Sequence, residues 1–163
     1  MYDTSDSHPD IHWPSGFSPA DAHSFHRAQG LVHGPPERAF TLLTDVSNWP
    51  NWVPECEEVS AVTLTRTFEV FWAGHRFEVF VGEHVPPRRI GWLGIGAGVM
   101  LYQAWLLTPT EDGTEIVVEN AVRADGPSSL DTLSRAWAER LNELWLSQLE
   151  KLSQPAPGAQ PES

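Results

Sequence analysis

The sequence predicts an α+β fold: a curved antiparallel sheet of about seven strands wrapped on a long C-terminal α-helix, with two short helices after the first strand. Three observations carry this reading. From Ser128 to Leu152, apolar residues recur at Leu130, Leu133, Trp137, Leu141 and Leu144, spaced by three and four, which is one stripe of an α-helix. Between Cys56 and Val122, apolar and polar residues alternate in short runs separated by Gly- and Pro-bearing turns. Strands joined by such short turns form an antiparallel meander. Ahead of them, one strand-like run is followed by segments that Pro punctuates too often for a long helix.

In chain order, residues 1–23 are rich in Asp, Ser, Pro and His and read as a flexible leader, with Trp13 and Phe17 able to dock on the surface. Ser24 to Val32 is the first strand, with Phe25, Arg27, Gln29 and Leu31 on one face and His26, Ala28, Gly30 and Val32 on the other. Pro36 opens a helix whose apolar residues are Ala39, Phe40, Leu42 and Leu43. Asp45 to Pro54 carries two Trp and two Pro and reads as a short second helix with a turn. Strands follow at about 56–64, 66–73, 76–85, 89–96, 99–109 and 114–122. In the long helix Ser128 and Asp131 suggest a capping box behind Pro127, while Asp131, Arg135 and Glu139 stand four apart on the wet face. At about 1.5 Å per residue that helix is roughly 35 Å long and needs a broad concave surface to cover its Trp-bearing side. Trp145 and Leu149 widen the stripe and Gln148 interrupts it. The folded unit is expected over residues 24–153, with a disordered tail at 154–163.

Size and composition bound the function. With 163 residues, 40% of them hydrophobic, a single domain with a substantial core is expected. Twenty-two acidic residues against 10 basic ones give a formal charge of −12, which repels nucleic-acid backbones and anionic membranes. Cys56 is the single cysteine, so no intramolecular disulfide forms and a cytoplasmic location is expected. No signal peptide and no membrane-spanning segment are expected. His8 with His12, or His23 with His26, could be imagined as metal ligands. Pro9 breaks the first pair's helical spacing and no Asp, Glu or Cys set converges nearby, so no metal is expected. Gly94, Gly96 and Gly98 lie between two strands and precede no helix, so a dinucleotide site fails on context and no cofactor is expected.

Several stretches together resemble a known family. They are Pro36-Glu37-Arg38-Ala39-Phe40 followed by Leu43-Thr44-Asp45; Trp49-Pro50 with Trp52 and Pro54; and Glu83 followed by Pro86-Pro87-Arg88-Arg89-Ile90. Trp105 with Leu107, and Gly113-Thr114 before the last strand, complete the set. In order and spacing, from about His26 to Leu152, they resemble the START-like (SRPBCC) superfamily of polyketide cyclases, dehydratases and lipid-transport proteins, including its coenzyme Q-binding branch. The resemblance implies a helix-grip fold that encloses a cavity between sheet and long helix. Fold alone leaves the function open, because the superfamily also holds chaperone co-activators, hormone receptors and oxygenase domains.

Strand phasing then names the candidate ligand-binding residues. Phe68, Val70, Trp72, Val79, Val81 and Trp92, with Ile90, fall on the inward face of the earlier strands. Gln103, Trp105, Val118 and Asn120, with Leu101, Leu107, Ile116 and Val122, do so on the later ones. Trp137, Leu141 and Leu144 come from the helix. Such a lining is apolar and aromatic with a few amides, as in small-molecule pockets, yet the same residues could fill a solid core. Gln103 and Asn120 either bond a ligand's carbonyl or hydroxyl, or bond each other, a water or the backbone.

An enzyme needs an acid or base with a placed partner. His75, His84, Tyr102, Arg66, Arg76, Glu69, Glu78 and Arg123 are candidates. His75 is expected in solvent beside the Gly74 turn, Tyr102 is phased outward, and Glu69, Glu78, Glu115 and Glu119 take the sheet's wet positions. No catalytic residue is therefore assigned, and Cys56 is expected to be an inert buried thiol. The sequence favours a binding or carrier protein for a small hydrophobic molecule, whether lipid, quinone-like or aromatic. An aromatic polyketide cyclase or dehydratase is the alternative. A protein-interaction module with a filled cavity and a protein partner, docking beside Trp49 to Val53, is the second.

Overall fold

A computed structural model describes residues 7–14, 16, 18–22, 24–53, 55–72, 74–124 and 135–153. After a 3-10 turn at Pro19–Asp21, the chain forms β1 (Ser24–Val32) and α1 (Pro36–Thr44), a second 3-10 turn (Val46–Asn48) and the single-turn α2 (Trp49–Trp52). Then come β2 (Cys56–Val59), β3 (Thr67–Trp72), β4 (His75–Val85), β5 (Arg89–Gly96), β6 (Val99–Thr110), β7 (Gly113–Ala124) and the helix α3 (Arg135–Ser153). The strands make one seven-stranded antiparallel sheet in the order β1-β7-β6-β5-β4-β3-β2. This is the predicted helix-grip order, with β1 closing the meander beside β7. The candidate cap at Ser128 and the residues Leu130 and Leu133 lie outside the described residues.

Local chemistry explains the turns and short helices. Ala97 (φ 54°) and Gly98 (φ 74°) join Gly96 to Val99 in a two-residue hairpin with both central residues at positive φ, the backbone twist that matches paired strands. Pro36 starts α1 where its missing N–H costs nothing, and Ala39, Phe40 and Leu43 bury one side. The buried Trp49 indole donates to Leu43 O at 3.1 Å, which fixes the single turn of α2 against the end of α1.

The predicted strand phases hold. Phe68, Val70, Trp72, Phe77, Val79, Ile90, Trp92, Leu101, Trp105, Leu107, Ile116, Val118 and Val122 share one core with α1, α2 and α3. The helix stripe is rotated relative to the expectation. Its buried residues are Leu141, Asn142, Trp145, Leu146, Leu149 and Ser153, while Leu144 and Gln148 are half-buried. The spacing of three from Leu141 to Leu144 fits a helix as well as the spacing of four to Trp145 does, and the larger ring takes the deeper place.

The other face of the sheet is also covered, by the leader. Ile11 packs with Tyr102, Ala104, Leu106 and Val117 in a second core, and Trp13 and Leu93 lie against it. Trp13 stands 5.7 Å from the Tyr102 ring and 6.2 Å from Phe25. Glu119, expected on the wet side, is fully buried: it accepts the Ser7 hydroxyl at 2.6 Å and the His8 N–H at 2.7 Å, with Arg27 at 3.6 Å. Burial pushes its carboxyl above the ordinary value, against the pull of Ser7, His8 and Arg27. Tyr102 points outward as phased, yet it is buried beneath the leader, in space left by Gly82 and Gly91.

Candidate functional site between sheet and helix

Sheet register builds the floor of the site. Trp92 pairs with Gln103, Gln103 with Asn120, and Asn120 with His26, a row running across β5, β6, β7 and β1. In the adjacent row Ile90 pairs with Trp105 and Trp105 with Val118. Successive inward residues stand about 6.8 Å apart along a strand, so Trp105 and Gln103 are neighbours on one surface.

The amides are organised by the helix. Trp92 Nε1 donates to Gln103 Oε1 at 2.9 Å, and Gln103 Nε2 donates to Asn142 Oδ1 at 3.1 Å. Asn120 Nδ2 donates to the same Asn142 oxygen at 3.2 Å, and Asn142 Nδ2 donates to His26 O at 3.1 Å. Of the two alternatives open for Gln103 and Asn120, a protein network is present, joined through a third amide. Asn120 Oδ1 is left without a donor.

Above this floor sits one indole. Trp145 is fully buried, and its ring lies 5.2 Å from Trp49, 5.5 Å from Trp52, Trp72 and Trp105, and 5.9 Å from Trp92. Trp49 in turn contacts Trp92 at 5.2 Å and Phe68 at 5.7 Å. Most of these contacts are edge-to-face or tilted, the favoured aromatic geometry. The indole N–H groups of Trp52, Trp105 and Trp145 are buried with no acceptor. Each such orphan costs about 1–3 kcal/mol relative to a bonded group. Ser153 Oγ, at the last residue of α3, shares that condition, whereas Arg89 Nε, at the first residue of β5, makes no hydrogen bond but faces the Glu83 carboxylate at 3.5 Å.

Depressions open to the surface lie elsewhere. One of about 260 Å3 is lined by Leu64, Thr65, Arg66, Val81, Gly82, Glu83 and His84, where β4 runs past the start of β3. Its His84 ring stacks on Phe40 of α1, with centroids 5.7 Å apart and an interplanar angle of 11°. Among the described residues no group of three or more His, Cys, Asp or Glu is placed to hold a metal ion. No helix among them is long and apolar enough to cross a membrane.

A family model described as polyketide cyclase/dehydrase and lipid transport matches residues 27–154, from β1 to the end of α3. The chain belongs to the polyketide cyclase/dehydrase and lipid transport family. Solved structures agree in fold. A hypothetical protein from Helicobacter pylori superposes with a TM-score of 0.74 at 19% identity, covering 91% of this chain and 98% of that one. A START superfamily protein from Mycobacterium smegmatis gives 0.62 at 16% identity, covering 79% and 96%. The di-domain ARO/CYC StfQ of the steffimycin biosynthetic pathway gives 0.66 at 16% identity, covering 83% of this chain and 52% of that one. At such identities the likeness establishes the fold. Comparison with curated proteins found no match.

Within this family fold the candidate residues from the sequence come together unequally. Phe68, Val70, Trp72, Val79, Trp92, Trp105, Val118 and Leu141 share the core with Trp145, and Gln103 and Asn120 form the amide floor. Val81 is partly buried at the edge of that core, and Leu144 is half-buried. The side chain of Trp137 lies outside the described residues. Sequence reasoning did not reach Asn142, because a polar residue beside an apolar helix stripe reads as a surface position. Nor did it bring Trp49 and Trp52 inside, since a Pro-broken segment carries no period.

The candidate acids and bases lie away from Trp145. Glu69 and Arg76 form an exposed pair at 3.6 Å. Arg123 Nη1 donates to Gly16 O at 2.8 Å. His75 is half-buried at the start of β4, in contrast to the solvent position expected for it. The Tyr102 hydroxyl is held above its ordinary value by burial first and the Glu83 charge second, on the face opposite the indoles. Burial pushes the Cys56 thiol up to about 11, assisted by Glu57 and opposed by the Glu58 backbone N–H.

Proposed function

We propose that this protein binds and carries a small hydrophobic molecule in the space between sheet and helix. One observation carries the reading: Asn120 Oδ1 and the indole N–H groups of Trp52, Trp105 and Trp145 are buried without partners inside an otherwise aromatic core. Buried polar atoms are nearly always bonded, so a group of orphans in one region needs a cause. A ligand that enters there gains apolar burial at roughly 25 cal/mol per Å2 and supplies the missing partners. Family membership supports the same reading. Phe68, Val70, Trp72, Val79, Val81, Trp92, Gln103, Trp105, Val118, Asn120 and Leu141 are the sheet and helix residues proposed to meet the ligand.

Cyclisation is the less favoured activity. The rings and amides meeting around Trp145 hold no group that gains or loses a proton near neutrality, so catalysis there would rest on positioning alone. Native mass spectrometry of the purified protein, with calorimetric titration of quinones, fatty acids and flat polyphenols, tests the proposal. A co-purifying molecule or saturable heat supports it. No adduct and no heat across that panel would overturn it and leave a filled core that serves protein contacts.

A further inference from the structure

On the face of the sheet opposite Trp145, the leader and β4 enclose a second depression that the carrier reading does not use. We infer that it is a binding site for a small organic amine in its ammonium form, seated between Trp13, Tyr102 and Glu83.

Strand register builds the floor. Val81 pairs with Trp92 and Glu83 with Gly91, neighbours on β5, so Gly82 is the extra residue of a bulge in β4. The Tyr102 hydroxyl, on the outer face of β6, lies over Gly82 and Gly91, neither of which has a side chain to cover it. The leader supplies the opposite wall. His12, Trp13 and Pro14 join Gly82, Glu83 and Tyr102 around a volume of about 230 Å3. That is below the roughly 300 Å3 at which drug-sized pockets begin, so the ligand is small. Trp13 is fixed in place: its Nε1 donates to Ser7 Oγ at 3.0 Å, and its ring stands 5.7 Å from Tyr102 and 6.2 Å from Phe25.

Two polar groups lining this space are left open. Glu83 is engaged through one oxygen: Oε2 meets His12 Nδ1 at 2.8 Å and Arg89 Nε at 3.5 Å, while Oε1 has no partner among the described residues. The Tyr102 hydroxyl has no hydrogen-bond partner among them either, although the residue is only 2% exposed. Buried polar groups are nearly always bonded, so a buried phenol left open at a depression calls for a ligand. The groups present select its charge. A carboxylate oxygen only accepts, so Glu83 Oε1 calls for a donor and repels an anion. The Tyr102 oxygen accepts as well as donates, and burial and the Glu83 charge keep it a neutral phenol. Trp13 presents an indole, the ring that attracts a cation best. His12 and Arg89 offset part of the Glu83 charge, which gives the indole a larger share of the selection. An ammonium group offers N–H donors to both oxygens and a positive charge to the ring. A neutral alcohol gains the hydrogen bonds alone, and a carboxylate meets Glu83 with like charge. The formal charge of −12 adds long-range attraction for cations.

Three compounds of one size test this: 2-phenylethylamine, 2-phenylethanol and phenylacetate, titrated into the full chain labelled with 5-fluorotryptophan and followed by 19F NMR. The amine is expected to move the Trp13 resonance, identified by its loss in Trp13→Leu, and to leave the Trp145 resonance still. It should bind about tenfold or more tighter than the alcohol, and phenylacetate should leave Trp13 unmoved. Glu83→Gln keeps the shape and removes the charge, so it should cut the amine's advantage to about twofold or less. Trp13→Leu changes only the leader and should weaken the amine about tenfold by calorimetry, which keeps the test open if the Glu83 variant does not fold. Equal binding of amine and alcohol overturns the inference. So does an amine preference that survives the substitution of Glu83 or Trp13, an amine that moves Trp145 and leaves Trp13 still, or an amine that does not bind. None of these outcomes bears on the carrier reading, which concerns the other face of the sheet.

Discussion

Gln103 Nε2 donates to Asn142 Oδ1 at 3.1 Å, so a fully buried amide on the sheet is held by the helix that covers it. The same oxygen accepts Asn120 Nδ2, which makes Asn142 a polar clasp between two sheet amides and α3. Asn142→Ala leaves both amide nitrogens without an acceptor. At about 1–3 kcal/mol per orphaned group, the variant is expected to lose about 3 kcal/mol in urea unfolding. A loss below about 0.5 kcal/mol, the level of an ordinary surface change, would mean that the clasp does not hold the helix.

Tyr102 and Gly91 are matched in shape. A Cβ at position 91 would come 2.3 Å from the Tyr102 hydroxyl oxygen, and one at position 82 would come within 2.9 Å. Gly91→Ala should lower the melting temperature by moving the ring out from beneath Trp13. Tyr102→Phe in the same chain should recover part of the loss, since the nearest ring carbon is 2.8 Å away and still close. Strictly additive effects in this double-mutant cycle would rule out the steric link.

Glu119 makes stability depend on pH. Burial raises its folded-state value above the ordinary 4.5, so the folded chain holds that proton more tightly than the unfolded chain. Stability from this group is therefore greatest at low pH and falls as pH rises through the interval above 4.5. Glu119→Gln removes the titration. The urea midpoint of the variant, relative to wild type, should move in the variant's favour as pH rises from about 4.5 toward 7. A difference that stays constant with pH would show that the leader's cap on this carboxyl is not coupled to folding.

Cys56 should be inert while the chain is folded. It is buried, and its thiol is pushed up to about 11, so little thiolate forms at pH 8. A thiol reagent at pH 8 is expected to label it only after urea is added. Fast labelling of the native protein would place the thiol at the surface.

The alternation of residues along 66–122 by itself determined the meander and its inward face, because a period of two leaves each strand only one way to bury its apolar side. Trp72, Trp92, Gln103, Trp105 and Asn120 were legible as interior for that reason. The helix was legible as an element but not in rotation: a stripe with residues at 141, 144, 145 and 149 admits two faces, and only packing against the sheet chose Trp145 over Leu144. Asn142, Trp49 and Trp52 have no periodic signature, and their places depend on partners distant in sequence. Composition made the leader read as free, yet Ile11 and Trp13 cover Tyr102, and Ser7 and His8 bond the buried Glu119. Local pattern sets which side of a strand is apolar. What lies against each side is decided when segments 100 residues apart meet, and Ser7 meets Glu119 across 112 positions.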